Sequence, residues 1–414
     1  MEKHKKKVEK NKPEIHFKDE FGLWQTWKIG DILTEKSRSI SLEDNKDYQL
    51  VTVKRRNEGV VSRGKLKGKN ILVKNYFEVK EGDYIISKRQ VVHGANGIIP
   101  KSLHKAVVSN EYLVATSNEN ITTQYWTLIS MLPQMHKIFF LSSYGVDIEK
   151  LVFDVNDWKK RVLTIPDINQ QNRITEFFET LDKLLKEHKQ KHNKLKALKK
   201  AMLAKMFPQQ SQTSPEIRFK GFVGDWEKIK LGDKVPVRGG YAFKSICFRK
   251  EGVPIVKISN ILATGEVGGD FYFYDEIDKD IDISLPNGSA VIAMSGATTG
   301  KVSILKISEN EKVYQNQRVG YFENKDLIDY SFISTLVKSS LFERKMKSVL
   351  VAGAQPNVSP KQIDSFEFLI PDNKEEQRKI GEYFNNLDKL ISNHNIQIKK
   401  LNNIKKAFLA KMFI

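Results

Sequence analysis

The sequence predicts an α+β chain. Two globular α/β regions are separated by two long helices that form an antiparallel coiled coil, with internal pseudo-two-fold symmetry. Three observations predict this. Residues 13–31 and 215–233 are one motif written twice, P-E-I-x-F-K followed by a shared Gly, Trp, Lys and Gly-Asp, identical at 10 of 19 positions. Residues 174–207 and 380–413 repeat at nearly the same offset and match at 18 of 34 positions. The stretches between these anchors, roughly 32–165 and 234–370, are largely unrelated. A repeat of this length is a duplicated domain and not a solenoid unit. Its shared frame carries two different inserts.

Taken in order, residues 1–12 read as a basic disordered tail. Residues 13–167 hold short β-type runs bounded by Gly, Asn or Asp: Tyr48–Lys54, Asn70–Lys74, Asp83–Ser87 and Ala106–Ser109. The pattern turns helical over residues 168–207 and stops at Pro208, which opens a polar linker over 208–214. The second globular region covers 215–372, with strand-like runs at Pro254–Ile258, Ala290–Met294 and Lys301–Ile307. A second long helix fills 373–414, so the chain stops where the first unit stops and both units read as complete.

The helices share a seven-residue register. One column reads Ile174, Leu181, His188, Leu195 and Met202, and its twin reads Ile380, Leu387, His394, Leu401 and Phe408. Phe178 and Leu185, with Phe384 and Ile391, widen the stripe, and Leu198 and Ile404 extend its other flank. Such spacing is a coiled-coil signal. A helix of this kind is ~55 Å long at ~1.5 Å per residue, too long to bury its stripe against one globular region. Its natural mate is its twin, packed antiparallel about the pseudo-two-fold axis. His188 and His394 are central in their columns and are expected near that axis and near each other. They read as register-setting polar residues; the alternative is a two-His metal site, but no carboxylate or cysteine repeats beside them at ligand spacing.

Composition narrows the function. The formal net charge of +19 favours a polyanionic partner, nucleic acid before an anionic membrane surface. The longest apolar runs, such as Ile138–Leu141, fall far short of the ~20 residues that span a bilayer. The Lys-rich start precedes no apolar stretch and is not a secretory signal. The single cysteine, Cys247, excludes an internal disulfide and reads as a small core residue. These features place the chain in the cytoplasm.

Enzyme signatures are incomplete. Ser295–Val302 imitates a phosphate loop but has Ser for the first Gly and Val for the magnesium-binding Ser/Thr, so it reads as a strand-loop-strand turn. None of the 12 prolines is adjacent to another, which removes the Asp/Asn-Pro-Pro-Tyr/Phe loop of an adenine methyltransferase. Pro166-Asp167 followed by Glu187-His188-Lys189 imitates a nuclease pattern, but the Glu falls mid-helix and the second copy has Asn393-His394-Asn395.

What remains is a set of loop residues suited to reading bases. In the first region they are Lys54, Arg55, Arg56, Asn57, Arg63, Lys65, Lys88, Arg89, Gln90, His93, Asn96 and Asn110, the last followed by Glu111-Tyr112. In the second they are Arg238, Tyr241, Lys244, Lys257, Ser259, Asn260, Ser295, Thr298, Lys301, Asn316, Gln317 and Arg318, with Gln355-Pro356-Asn357 late in the chain. Arg and Lys can hold guanine O6/N7, Asn and Gln can pair with adenine N6/N7, and Ser and Thr suit phosphates.

Several anchors carry a family resemblance: F-x-G-F-x-G-D-W-E-x-x-x-L-G-D (Phe219 to Asp233), G-V-P-I-V-K-I-S-N-I (Gly252 to Ile261), M-S-G-A-T-T-G-K (Met294 to Lys301), N-Q-R-V-G (Asn316 to Gly320), A-Q-P-N-V-S-P-K-Q-I (Ala354 to Ile363) and the helix start at Glu376 to Asp388. Together they resemble the specificity subunit of type I restriction–modification enzymes. In the first half, Gly82 to Gln90 and Val108 to Tyr112 are similar to another variety of the same target-recognition domain.

The resemblance implies that residues 13–167 and 215–372 are target-recognition domains, each reading one half of an asymmetric, split sequence in double-stranded DNA. The paired helices would space the halves and dock two methyltransferase subunits. Restriction/translocase subunits would join them. The chain itself would bind no cofactor and carry no catalytic residue; S-adenosylmethionine, ATP and Mg2+ would serve the partner subunits. The alternatives are a self-sufficient DNA nuclease or methyltransferase, and a basic coiled-coil DNA-binding scaffold without sequence preference.

Overall fold

The structure, a computed structural model, describes residues 13–18, 24–72, 75–209, 212–277, 282–308, 311–351 and 357–414. The expected tail over 1–12, part of the linker, and Gln355-Pro356 lie outside the described residues. The chain divides into two compact units: residues 1–187 with 398–414, and residues 188–397. Each therefore contains the N-terminal part of one long helix and the C-terminal part of the other. The helices run over Ile168–Lys205 and Lys374–Lys411.

The globular part of each unit opens with the duplicated motif. In the first, Gln25–Lys28 pairs antiparallel with Val162–Ile165, just before the long helix starts. In the second, Glu227–Lys230 pairs with Glu367–Ile370 in the same way. The shared tryptophans Trp24 and Trp226 are buried beside these ladders. One helical turn follows in each copy, Ile29–Ile32 and Leu231–Lys234.

A four-stranded antiparallel sheet comes next in both units. Its order is Leu33–Glu35, Tyr112–Ser117, Tyr84–Ser87, Asn96–Ile98 in the first unit. In the second it is Val237–Gly239, Val319–Phe322, Ala290–Ala293, Val302–Ile304. The central strands are apolar runs buried on both faces, as Ala290–Ala293 shows. The second sheets differ. The first unit has five strands in the order Ser39–Ile40, Tyr76–Glu78, Val107–Ser109, Asp47–Val53, Val60–Lys67. The second has three, Tyr272–Tyr274, Val253–Val256 and Tyr314–Gln315.

One expected strand opens differently. Gly68–Asn70 forms a 3-10 turn where the expected strand Asn70–Lys74 begins, Val73-Lys74 lie outside the described residues, and the next described strand is Tyr76–Glu78. The backbone of Glu43 and Asp44 explains the turn: an added Cβ on Gly68 would lie 2.2 Å from the Glu43 carbonyl oxygen, and Lys69 N–H donates to Asp44 O.

The long helices pack antiparallel within each unit. In the first, Asp182 accepts from Lys405 at 2.5 Å and Phe177 meets Phe408 with ring centres 4.8 Å apart. In the second, Asp388 accepts from Lys199 at 2.5 Å. Asp388 and Lys405 are the repeat counterparts of Asp182 and Lys199, so one interhelical ion pair occurs twice. Ile174 and Leu181 are buried in the first unit, Ile380 and Leu387 in the second. Leu195 and Met202 pack against the second core, Leu401 and Phe408 against the first. Leu198 is 43% exposed, whereas its counterpart Ile404 packs on the first core. The repeated Met-Phe ending plugs each core: Phe413 faces Tyr125 and Phe178, and Phe207 stacks on Phe332.

His188 Nδ1 and His394 Nδ1 stand 2.9 Å apart. Burial first, then the charges of His188, Lys191 and His192, hold the His394 imidazole below its usual range. The unfolded chain therefore takes up that proton more readily than the folded one. The stability in question is present above the ordinary value of 6.5 and is lost as pH falls through the lower folded value. Melting curves at about pH 7.5 and about pH 5.5 should show a larger drop in Tm for the native chain than for a His188→Leu/His394→Leu double variant. Equal drops in both would remove the pair as the cause.

Candidate nucleic-acid interface

In the first unit, a hairpin turn presents the basic residues. Asp47–Val53 and Val60–Lys67 pair with Val53 opposite Val60, leaving residues 54–59 as the loop. Arg56 and Asn57 adopt left-handed backbone angles, φ 60° and 55°. Such angles are tolerated by Asn and strained for Arg. Two backbone bonds hold them: Arg56 N–H donates to His93 O at 2.7 Å, and Asn57 N–H to Gly94 O at 2.9 Å. Gly94 has φ +76°, which L side chains rarely adopt, and a Cβ there would crowd Asn57 Oδ1 at 3.0 Å.

These contacts bring Arg55, Arg56, Asn57, His93 and Asn96 together. Asn57 Nδ2 lies 3.3 Å from His136 Nε2, and Asn96 Nδ2 donates to Asn57 Oδ1 at 3.4 Å. An amide nitrogen can only donate, so His136 Nε2 accepts; burial holds that ring below its usual range, which favours the neutral form. Asn57 and Asn96 thus fix one another and the turn, while Arg55 and Arg56 are exposed. Arg55 Nη2 donates to Glu149 Oε2 at 2.9 Å, and His93 Nε2 stands 3.4 Å from Glu149 Oε1.

The loop after Tyr84–Ser87 adds a second group. Lys88 Nζ donates to Asn110 O at 2.8 Å, and Arg89 Nε to Glu111 Oε2 at 3.0 Å. Gln90 Oε1 is buried without a hydrogen-bond partner among the described residues. Arg63 and Lys65 are exposed on the Val60–Lys67 strand, apart from the turn itself.

In the second unit, four loops converge. Tyr241 N–H donates to Gln315 O and Gln317 N–H returns to Tyr241 O, both at 2.9 Å. Asn316 N–H donates to Val256 O at 3.1 Å, which joins the Lys257–Asn260 turn. Thr298 Oγ1 donates to Ile258 O at 3.4 Å, and Ser295 bridges Asn357. Gly240 permits this approach, since a Cβ there would lie 2.4 Å from the carbonyl oxygens of Gln315 and Asn316. Gln317, Arg318, Ser259, Lys244 and Lys301 are exposed, and Tyr241 is 47% exposed. Lys257 Nζ lies 3.9 Å over the Tyr272 ring, a cation–π contact.

Besides Asn57 and Asn96, the latter only 2% exposed, two more of the expected readers are engaged inside the protein. Arg238 donates to Ser284 O at 2.8 Å and to Gln315 Oε1, and lies over Tyr321. Asn260, 1% exposed, donates to Gly268 O and Asp270 O and accepts from Lys257 N–H. Both brace the loops that carry the exposed groups. His136 and Glu149 were not among the sequence-level candidates. Each lies far along the chain from the basic turn, and an acid carries no signal when a basic groove is sought. Ser295–Lys301 connects the antiparallel strands Ala290–Ala293 and Val302–Ile304 as a turn. Asp167 accepts from Gln170 N–H at the start of the first long helix. Among the described residues, no group of three or more His, Cys, Asp or Glu could hold a metal ion, and no helix is long and apolar enough to cross a membrane.

Comparison with known proteins fits two copies of one reader. The sequence matches the family model described as type I restriction modification DNA specificity domain over residues 22–197 and 224–403. It is 24% identical to the type I restriction enzyme MjaVIII specificity subunit of Methanocaldococcus jannaschii, over 95% of this chain and 93% of that one. The fold is similar to the crystal structure of a type I restriction–modification system S subunit from M. genitalium, with a TM-score of 0.60 at 13% identity, covering 97% of this chain and 99% of that one. With two matched segments spanning most of its length, the chain belongs to the type I restriction modification DNA specificity domain family and is a specificity subunit with two recognition domains.

Proposed function

We propose that the chain is the non-catalytic subunit that gives a type I restriction–modification complex its DNA sequence. Each recognition domain reads one half of an asymmetric, bipartite target in double-stranded DNA. One observation carries the reading. The same frame, built twice, ends in two chemically different loop sets: Arg55, Arg56, Lys88 and Arg89 in one, Tyr241, Lys257, Ser259, Gln317 and Arg318 in the other. Loops that differ on a shared scaffold suit base-edge readout, and their basic side chains suit phosphates.

In this reading the long helices set the gap between half-sites and dock two methyltransferase subunits. Those subunits use S-adenosylmethionine to methylate adenine, and restriction/translocase subunits use ATP and Mg2+. The work is done on cellular DNA in the cytoplasm.

Much of the affinity comes from phosphates, so binding should weaken steeply with salt. The logarithm of the association constant should fall by ~0.9 per phosphate neutralised for each tenfold rise in salt. Titration of a labelled target duplex at several salt concentrations measures the slope. A flat response would contradict a phosphate-binding groove. Equal affinity for target and random duplexes would instead favour a scaffold without sequence preference.

A further inference from the structure

Glu149 reaches into a basic cluster from 94 residues along the chain and occupies the guanidinium of Arg55, with Nη2 to Oε2 at 2.9 Å. His93 Nε2 approaches its other oxygen at 3.4 Å. The carboxylate is held there by local structure. Asp147 Oδ1 accepts from Glu149 N–H at 3.1 Å, and Lys150 N–H donates to Asp147 O at 2.8 Å, closing the 3-10 turn Ile148–Lys150. Beyond the turn, Phe153 N–H donates to Lys88 O at 3.1 Å, tying the segment to the Lys88–Gln90 loop. The acid is therefore aimed at the basic turn by a built support.

Its role is not to stabilise the fold. Both side chains of the pair are about half exposed, 51% and 53%, and a pair so exposed adds little to stability. The segment that carries it leaves Val146 and Ile148 exposed as well, so it is not held for core packing. What the pair does change is the chemistry Arg55 offers to DNA. A guanidinium fork fits a carboxylate, a phosphate or the paired acceptors of guanine. Glu149 holds one arm of the fork through Nη2; a phosphate that takes that arm must displace it and then sit beside a freed carboxylate, a like-charge contact that costs affinity. A matched base edge offers directed acceptors, which a phosphate at random register does not. The device is repulsion against wrong partners.

We infer that Glu149 is a specificity-determining residue of the first recognition domain: its carboxylate competes with the DNA backbone for Arg55 and suppresses binding to non-target sequence. The inference rests on the DNA-reading function proposed above and deepens it. Arg89 and Glu111 form a similar exposed pair nearby, at 3.0 Å.

The test uses the full chain expressed with its modification subunits, carrying Glu149→Gln. Glutamine keeps the shape and an acceptor oxygen but removes the charge, and the site is exposed enough to leave folding intact. Glu58→Gln is the control, an exposed acid on the same hairpin that lies 3.9 Å from Lys54 and does not hold Arg55. Affinity is measured for a random duplex and for the duplex defined by the native chain's own methylation motif. Glu149→Gln should raise random-duplex affinity at least about 5-fold, leave target affinity nearly unchanged, and steepen the salt slope by ~0.9. The methylation motif should become degenerate in one half-site only. No change in Glu149→Gln, or an equal gain in Glu58→Gln, would overturn the inference while leaving DNA reading intact. A native chain with no sequence preference would overturn both.

Discussion

Replacing Glu376 with alanine is expected to cost the second unit about 3 kcal/mol, because it strands a largely buried arginine. Glu376 is 0% exposed, and its two oxygens accept from Arg218 Nε at 2.7 Å and Nη2 at 2.8 Å. The third donor of that side chain goes to Gly224 O at 2.5 Å. The hydrogen bonds to Glu376 raise the Arg218 pKa still further, so the charge cannot be relieved by deprotonation. The loss lies at the low end of the range for broken buried pairs, since the Arg218 side chain keeps 17% exposure. The first copy shows how to do without the pair. His16 and Gln170 occupy the counterpart positions, and Gln170 is buried at 7%. An Arg218→His/Glu376→Gln double variant should therefore lose clearly less than the two single changes added together. Denaturant unfolding of the full chain, read with hydrogen exchange over the start of the second long helix, measures this. Simple additivity would show that the two residues do not act as a pair.

Gly381→Thr should be nearly as damaging, at about 3 kcal/mol, the upper end of the usual range for overpacking. A Cβ on Gly381 would lie 1.9 Å from Ser331 Oγ and 2.5 Å from the Ser331 carbonyl carbon. The serine hydroxyl can rotate, but the backbone carbon cannot move without shifting Tyr330–Leu336. Helix propensity alone would favour threonine over this glycine by about 0.3 kcal/mol, so the sign of the result separates the two effects. The first copy has Thr175 at this position, buried at 8%, with its hydroxyl donating to Gln171 O at 2.8 Å. The reciprocal change Thr175→Gly should cost less, about 1–2 kcal/mol, through backbone entropy and the loss of a small buried side chain. Thermal or urea unfolding of the two variants tests the asymmetry; stabilisation by Gly381→Thr would show that the close approach is not enforced.

The duplicated frame was legible because duplication preserves the residues that packing constrains. Trp24 and Trp226, the His188/His394 columns and the Met-Phe endings all occupy equivalent places in both copies. The interhelical pair Lys199–Asp388 and its twin Lys405–Asp182 were also written in the repeat, but an ion pair between helices leaves no periodic signal. Gln171 and Gln377 are similar: each is buried, donates to the carbonyl of a proline before its helix, and accepts from the backbone of a distant turn. Sequence pattern sees a polar residue in a helix start and cannot tell such a clamp from a solvated side chain.

The binding loops were less legible for the same physical reason. Arg55 and Arg318 are exposed, as a side chain that reads bases or phosphates has to be. Arg238 and Asn260 look equally suited in sequence, yet they turn inward and donate to Ser284, Gln315, Gly268 and Asp270. Only the fold decides whether a loop side chain faces out or in. His136 and Glu149 show the converse. They belong to the basic cluster because a helix and a 3-10 turn carry them there, and nothing adjacent to either marks that destination.

Independent reading by two domains is tested most directly by exchange of residues 234–370 for the corresponding insert of another family member, with the rest of the chain and its partners unchanged. The methylated motif is then mapped in cells that express the complex. One half of the motif should change to that of the donor, while the other half and the spacing stay as they were. A change in both halves, or in neither, would contradict the assignment of one half-site to each domain.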